Sequence, residues 1–234
     1  MSFTNKTVLI TGAAGNLGRA VAHAFAEQGA RLALVERQVA DLHKAFGDES
    51  AARLFVAADL LQPEQVGAAV GTIVARLGRI DVLCNLAGGF RMGPAVHATP
   101  AATWDFLFDL NARTVLHMAQ AVVPHMLERG GGKVVNVGAF AAQKGAARMG
   151  AYIASKSAVI RLTETMAAEL RALNINVNCV LPTVIDTPEN RAAMPDADPA
   201  AWVAPRDLAS VIVFLASDAA RAIHGAALPV TGLA

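Results

Sequence analysis

Two kinds of pattern alternate along the 234 residues. Short runs that are apolar at almost every position are separated by longer stretches in which apolar residues return every third or fourth place. The runs are KTVLIT (6–11), RLALVE (31–36), LFVAAD (54–59), IDVLCN (80–85), KVVNVG (133–138) and INVNCVL (175–181). The longer stretches include LGRAVAHAFAEQG, PEQVGAAVGTIVARLG and ASKSAVIRLTETMAAELRAL. A run apolar on both faces suits a strand covered by helices on either side, and the longer period is that of a helix with one buried stripe. Strand and helix in strict alternation predict an α/β chain: a doubly wound parallel sheet of about seven strands in a three-layer sandwich. No break in composition marks a second domain, so residues 1–234 are expected to form a single one. In such sheets ligands bind beyond the carboxyl ends of the strands. Functional residues are therefore sought just after each apolar run.

Composition removes several classes of function. Formal net charge is +1, which gives no pull toward nucleic acid or an anionic membrane. No apolar run approaches the ~20 residues of a membrane span, and MSFTNKTVLITG lacks the pattern of a signal peptide. The two cysteines, Cys84 and Cys179, lie inside apolar runs and read as buried free thiols of a cytoplasmic protein. The six histidines lack metal-ligand spacing, so no metal is expected.

The first strand is followed by TGAAGNLGRAVA, with Gly12, Gly15, Asn16, Leu17 and Gly18 in the turn and helix start. A glycine turn between strand and helix lets backbone approach a pyrophosphate, and the helix amides favour its charge. Glu36 closes the second run. A carboxylate there accepts from ribose hydroxyls and repels a 2′-phosphate, which argues for NAD(H), with NADP(H) as the second option because Arg37 stands beside it. Asp59 and Asn85 end the third and fourth runs, and Leu86-Ala87-Gly88-Gly89 follows Asn85. At the other end of the groove Tyr152 and Lys156 are one helical turn apart and share a face. A cation near a phenol favours the phenolate, so Tyr152 is expected to have a lowered pKa.

These pieces identify a resemblance. TGAAGNLG, Asp59-Leu60, Asn85-Leu86-Ala87-Gly88, Asn111 in LNARTVLH, YIASK and LPTVIDT together resemble the short-chain dehydrogenases/reductases, over essentially the whole chain. That family has the Rossmann fold and binds NAD(P). The resemblance implies that Tyr152 moves a proton, that Lys156 holds the nicotinamide ribose and tunes Tyr152, and that Asn111 keeps a relay water. It places Pro182, the backbone of Ile185 and the hydroxyl of Thr187 at the nicotinamide carboxamide. It also implies a homodimer or homotetramer acting on a small-molecule substrate.

Three positions depart from the family pattern. Asn16 stands where a glycine is usual, and Asn tolerates left-handed backbone. Pro182-Thr183 replaces Pro-Gly. Ala139 occupies the place of the catalytic serine, 13 residues before Tyr152. Losing one donor to a developing oxyanion costs on the order of 10²–10³ in rate. Gln143 and Thr183 are the side chains considered as replacements.

LCNLAGGF, VGAFAAQKGAARMGAYIASKSAV and VLPTVIDTPENRAAMPDADPAAW look like their counterparts in the dihydropteridine reductase branch, which lacks that serine and reduces an electron-poor quinonoid ring. Residues 188–204 are the expected substrate lid, irregular because of Pro195 and Pro199. Phe90, Met92, Met149 and Trp202 are candidates to line the pocket. The leading expectation is an NAD(H)-dependent reductase of a conjugated acceptor. A 3-oxoacyl or ketone reductase is the alternative, and a non-catalytic NAD(H)-binding protein is a third.

Overall fold

In the computed structural model, which describes residues 1–233, the apolar runs become the strands of one sheet. They are β1 (Thr7–Thr11), β2 (Arg31–Glu36), β3 (Arg53–Ala57), β4 (Val82–Asn85), β5 (Gly132–Val137), β6 (Ile175–Pro182) and β7 (Ala227–Val230). Their order is β3-β2-β1-β4-β5-β6-β7, and every neighbouring pair is parallel. The helices are α1 (Asn16–Glu27), α2 (Val39–Phe46), α3 (Pro63–Leu77), α4 (Ala101–Phe108), α5 (Thr114–Glu128), α6 (Gly150–Leu170), α7 (Pro188–Ala193) and α8 (Pro205–Ala216).

Alternate residues of a strand point to opposite faces, and β1 divides the core accordingly. Val8 and Ile10 pack with Phe25 of α1, Leu42 of α2 and Ile212 of α8, while Leu9 packs with Ile73 of α3, Met118 of α5 and Ala167 of α6. Side chains such as Phe25, Leu42 and Ile73 are fully buried, and each contributes about 1.5–3 kcal/mol relative to exposure. β6 is buried along its whole length, as its unbroken run predicts. The chain leaves β3 at one edge and returns beside β1 as β4, so the loops after β1 and β4 diverge. That divergence opens the crevice at the carboxyl edge.

Two elements differ from the sequence pattern, each for a local reason. β3 stops at Ala57, because Asp59 turns the chain: its carboxylate accepts from Leu61 N at 3.0 Å. The helical stretch around Asn111 is divided by a π-helical turn over Asp109–Arg113. Such turns insert one residue and re-aim the side chains at that point. Among the described residues no helix is long and apolar enough to cross a membrane.

Candidate active site

The turn after β1 is built from backbone. Gly12 has φ +63, and a Cβ there would lie 3.0 Å from Ala87 Cα. At Gly18 a Cβ would lie only 2.3 Å from Gly12 O, so α1 packs against the turn at a distance only glycine allows. Asn16 has no positive φ. It is the first residue of α1, and the left-handed position is Gly12 instead. The Asn16 amide donates to Glu189 Oε2 of α7 at 2.7 Å, which ties the turn to the segment expected to be a lid. Gly15 caps α1 without any side-chain bond, and the first turn carries no acid, so its amides are open to an anion. Glu36 reaches back into the turn: Oε2 accepts from Ala14 N at 3.3 Å and Oε1 from Arg37 N at 3.0 Å.

The other residues assigned to the nucleotide end divide. Leu17 packs against the core below the turn. Ala87 N and Leu86 N both donate to Thr11 Oγ1, at 3.2 and 3.1 Å, which seats the β4 loop on β1. Thr11 is thus a site-forming residue that its place in an apolar run had hidden. Leu60 O accepts from the His117 ring at 2.8 Å. Asn85, expected at the cofactor, is buried: its Nδ2 donates to Asn136 Oδ1 at 2.8 Å, and Asn136 Nδ2 donates to Thr163 Oγ1 at 2.9 Å. It joins β4, β5 and α6 rather than opening onto the crevice.

Tyr152 and Lys156 lie in the first two turns of α6. Lys156 Nζ donates to Val137 O at the end of β5, at 2.8 Å, leaving two of its three protons free. Asn111 presents Oδ1 to Gly89 N (2.9 Å), and Nδ2 to Gly89 O (3.1 Å) and Ser155 Oγ (3.0 Å). Ser155 Oγ then donates to Tyr152 O at 2.8 Å. The π-helical turn, the β4 loop and α6 are therefore fastened at one point. Gly88 lies at the centre of it: a Cβ there would be 2.9 Å from Asn111 Oδ1 and 3.1 Å from Lys156 Nζ. Ser155 had no sequence signal beyond its place before Lys156.

Burial, rather than the lysine, sets the phenol's acidity. The Tyr152 pKa is pushed up to about 12 by burial, and desolvation lowers Lys156 from 10.5 to about 8. The expected lowering of the tyrosine is not found, because desolvation of the charged phenolate is the effect that sets its pKa. At neutral pH Tyr152 is a neutral phenol, suited to donating a proton.

Ala139 is buried against Val159, Ile160 and Cys179, in an apolar cluster on which Tyr152 also packs. Of the two candidate replacements for the missing serine, Thr183 is the one committed elsewhere. Thr183 Oγ1 donates to Thr231 O at 3.0 Å, and the exposed Gln143 leans on Phe140 O at 3.4 Å. Cys179 lies below this wall, its thiol pushed up to about 11 by burial. Both cysteines are free and buried.

After β6, Pro182 is buried in the strand end. Thr187 Oγ1 accepts from Asn190 N at 3.2 Å and so caps α7, while Asn190 Nδ2 donates to Ile185 O at 2.8 Å. Residues 188–204 form α7, a 3-10 turn at Pro199–Ala201, and a tail in which Val203 N donates to Val184 O at 2.9 Å. Of the expected pocket residues, Phe90 meets Tyr152 edge-on at 4.9 Å between centroids and is 58% exposed. Met92 is exposed, Met149 precedes α6, and Trp202 packs beside Gly232 at the C-terminal end.

A parallel sheet with this switch point, a glycine cradle after β1 and a tyrosine-lysine pair beside it define a nucleotide-dependent oxidoreductase. The family model for short chain dehydrogenase matches residues 6–198, and the chain belongs to the short-chain dehydrogenase/reductase family. It is 36% identical to the D-threitol dehydrogenase of Mycolicibacterium smegmatis, over 97% of this chain and 92% of that one. Among solved structures, the 3-ketoacyl-(acyl-carrier-protein) reductase of Brucella melitensis complexed with NADH superposes with a TM-score of 0.88 at 30% identity, over 99% of this chain and 98% of that one. A gluconate 5-dehydrogenase of Burkholderia cenocepacia in complex with NADP and tartrate gives 0.90 at 32%, over 99% and 95%. The chain is an NAD(P)-dependent oxidoreductase.

Proposed function

We propose that this protein is an NAD(H)-preferring reductase of electron-poor, conjugated acceptors, with Tyr152 as the proton donor. The observation that carries this is the wall at Ala139: the serine's place is apolar, and the Thr183 hydroxyl is turned to a backbone carbonyl. With one polarising donor fewer, an unactivated ketone is at a disadvantage. An acceptor that regains conjugation on reduction needs less polarisation, and quinonoid dihydropterin is one such compound.

The residues fit a dinucleotide. The bare backbone at Gly12, Gly18 and Gly88 and the uncapped start of α1 support a pyrophosphate cradle formed by Gly12, Gly15, Asn16, Leu17 and Gly18. Glu36, whose carboxylate reaches that turn from the end of β2, supports ribose binding and a preference for NAD(H). When bound, the nicotinamide supplies the hydride. Lys156 has two protons left for ribose hydroxyls, and Pro182, Ile185 and Thr187 are the residues that would hold the carboxamide. Tyr152 gives its proton to the acceptor atom that gains negative charge, and the phenolate is reprotonated from solvent. Both amide protons of Asn111 are spent on Gly89 and Ser155, so its side chain offers a relay water only the remaining lone pair of Oδ1. Asn111 acts mainly as a positioning residue. Asp59 serves the same end through its turn, and Asn85 through its bond to Asn136.

The chain is further read as one domain with residues 188–204 as its lid, in a cytoplasmic homodimer or homotetramer. Exposed Val96, Trp104 and Leu116 around α4 and α5 support the assembly.

NADH oxidation measured with quinonoid dihydropterin, isatin and a 3-oxoacyl thioester tests the acceptor class. Turnover of the first two, and little of the third, is expected. A thioester consumed fastest would establish the ketone reductase reading instead, which the likeness to the Brucella melitensis enzyme favours. In Glu36→Ala the NADH:NADPH preference should fall by about tenfold or more, since a charge-assisted hydrogen bond is worth about 1.5–3 kcal/mol. An unchanged ratio would remove Glu36 from the assignment.

A further inference from the structure

Three non-glycine residues among those described hold left-handed backbone: Asn5, Asn174 and Arg148, the last at φ +63. Asparagine bears that conformation at little cost, but an arginine does not. Strain of this kind persists where the surrounding structure enforces it, and it concentrates at ligand sites. Arg148 stands four residues before Tyr152, in a stretch of glycine and alanine that offered cheaper residues for the turn.

The strained residue forms one seam with the loop that carries Phe90. Gly93 N donates to Arg148 O at 2.8 Å, and Arg148 Nε reaches toward Gly93 O at 3.4 Å. Two residues earlier, the Arg91 guanidinium lies 4.0 Å from the centroid of the Phe106 ring. Phe90, next to Arg91, is the residue that meets the Tyr152 ring. Arg91 and Arg148 therefore flank Met92 and Gly93 at the rim of the site, and Lys144 is exposed on the same loop as Arg148.

Their charge is not neutralised locally. Residues 86–95 and 138–149 contain no Asp or Glu. Among the described residues neither Arg91, Lys144 nor Arg148 forms an ion pair. Of the acids on neighbouring elements, Asp186 holds Arg191 through two bonds of 2.6 and 2.8 Å, Asp109 holds Arg113, and Glu189 accepts from Asn16, while Asp105 beside Phe106 and Asp196 and Asp198 of the lid are exposed to solvent, which screens them. Arg191 of the lid is thus matched by Asp186, while the rim opposite leaves Arg91, Lys144 and Arg148 without an ion-pair partner.

We infer that Arg91 and Arg148 form a subsite for an oxyanion carried by the substrate, so the acceptor is an anionic molecule, its carboxylate or sulfonate held at the rim while its reducible group meets Tyr152. The guanidinium fork matches such a group with paired hydrogen bonds. This rests on the reductase reading above for the reacting end, and on the rim alone for the anion.

The probes are two matched pairs of activated ketones: isatin-5-carboxylate beside its methyl ester, and isatin-5-sulfonate beside isatin-5-sulfonamide. kcat and KM are measured with NADH, and Kd is measured by calorimetry with NAD⁺ present, where no hydride can be delivered. The anionic member of at least one pair should have a KM and a Kd lower by about tenfold or more, in line with a charge-assisted hydrogen bond. The preferred pair reports whether a planar or a tetrahedral oxyanion fits. In Arg148→Gly, which relieves the left-handed backbone and keeps or raises Tm, and in Arg91→Gln, the preference should fall toward unity through KM rather than kcat. Equal affinity for charged and neutral members in the wild-type protein, no binding of either, or a preference that survives in the double variant would overturn the inference. Selective binding of the anions without turnover would support the subsite and count against the reductase reading.

Discussion

The nucleotide end and the substrate end of the crevice are made of different material. Around Gly12, Gly15 and Gly18 the working groups are backbone amides, and what matters is the absence of side chains where chain segments touch. Around Tyr152 the working groups are side chains, held by a network that runs from Gly89 through Asn111 and Ser155 to α6. A backbone site depends on the first strand, its turn and one helix, so it is encoded in a few consecutive residues. A side-chain site depends on where four distant segments meet. The first kind leaves little freedom to vary, and the second can lose a donor at residue 139 and still hold its tyrosine.

The difference can be tested by damaging each end in turn. The largest effect is expected for Tyr152→Phe, which removes the proton donor without disturbing the cradle. Turnover should fall by about 10²–10⁴, while the NADH Kd, followed by fluorescence titration, stays within twofold or so of wild type. A comparable loss of NADH affinity would mean the two ends are not separable.

Gly18→Ala should do the reverse. Its Cβ would meet Gly12 O at 2.3 Å, so α1 must shift from the turn. The NADH Kd should rise by roughly tenfold or more, with a loss of thermal stability of about 1–3 kcal/mol from overpacking. Unaltered binding would show that the cradle tolerates movement.

Ala139→Ser is a smaller change. With isatin the gain should be under about threefold, and with a 3-oxoacyl thioester about tenfold, because an unactivated carbonyl profits more from a second donor. Equal gains on both substrates would undo the link between the apolar wall and acceptor class.

The smallest effect concerns pH. The Lys156 pKa in the folded protein is lowered by burial from 10.5 to about 8. Between about pH 8 and 10 the unfolded chain binds this proton and the folded protein does not, so stability rises with pH across that window. Below pH 8 both states are protonated and the gain is absent. In Lys156→Met this part of the stability profile should flatten, as read from urea midpoints at pH 7.5, 8.5 and 9.5. A parallel rise in the variant would assign the slope to other groups.

Much of the fold was legible along the chain. Strands apolar on both faces and helices with one stripe can form little else than a covered parallel sheet, and β1 through β6 lie within a residue or two of the runs that predicted them. The glycine turn was legible for the same reason: its physics is local. Asp59 shows where local reading is incomplete, because the carboxylate expected to face the cofactor also holds its own turn through Leu61 N. Asn85 misleads in another way, since only the pairing of β4 with β5 reveals that its amide is turned to Asn136 and away from the crevice.

The sequence alone determined the sheet, the turn after β1, the one-turn spacing of Tyr152 and Lys156, and the absence of a hydroxyl at 139, because each depends on neighbours in the chain. The tertiary structure decided the rest. Desolvation by the packed core raised the pKa of Tyr152 where spacing had suggested a lowering. The seam between residues 89–95 and 144–149 brought Arg91 and Arg148 to one rim, although 57 positions separate them in the chain. Burial and long-range meeting are properties of the folded surface, and no local pattern encodes them.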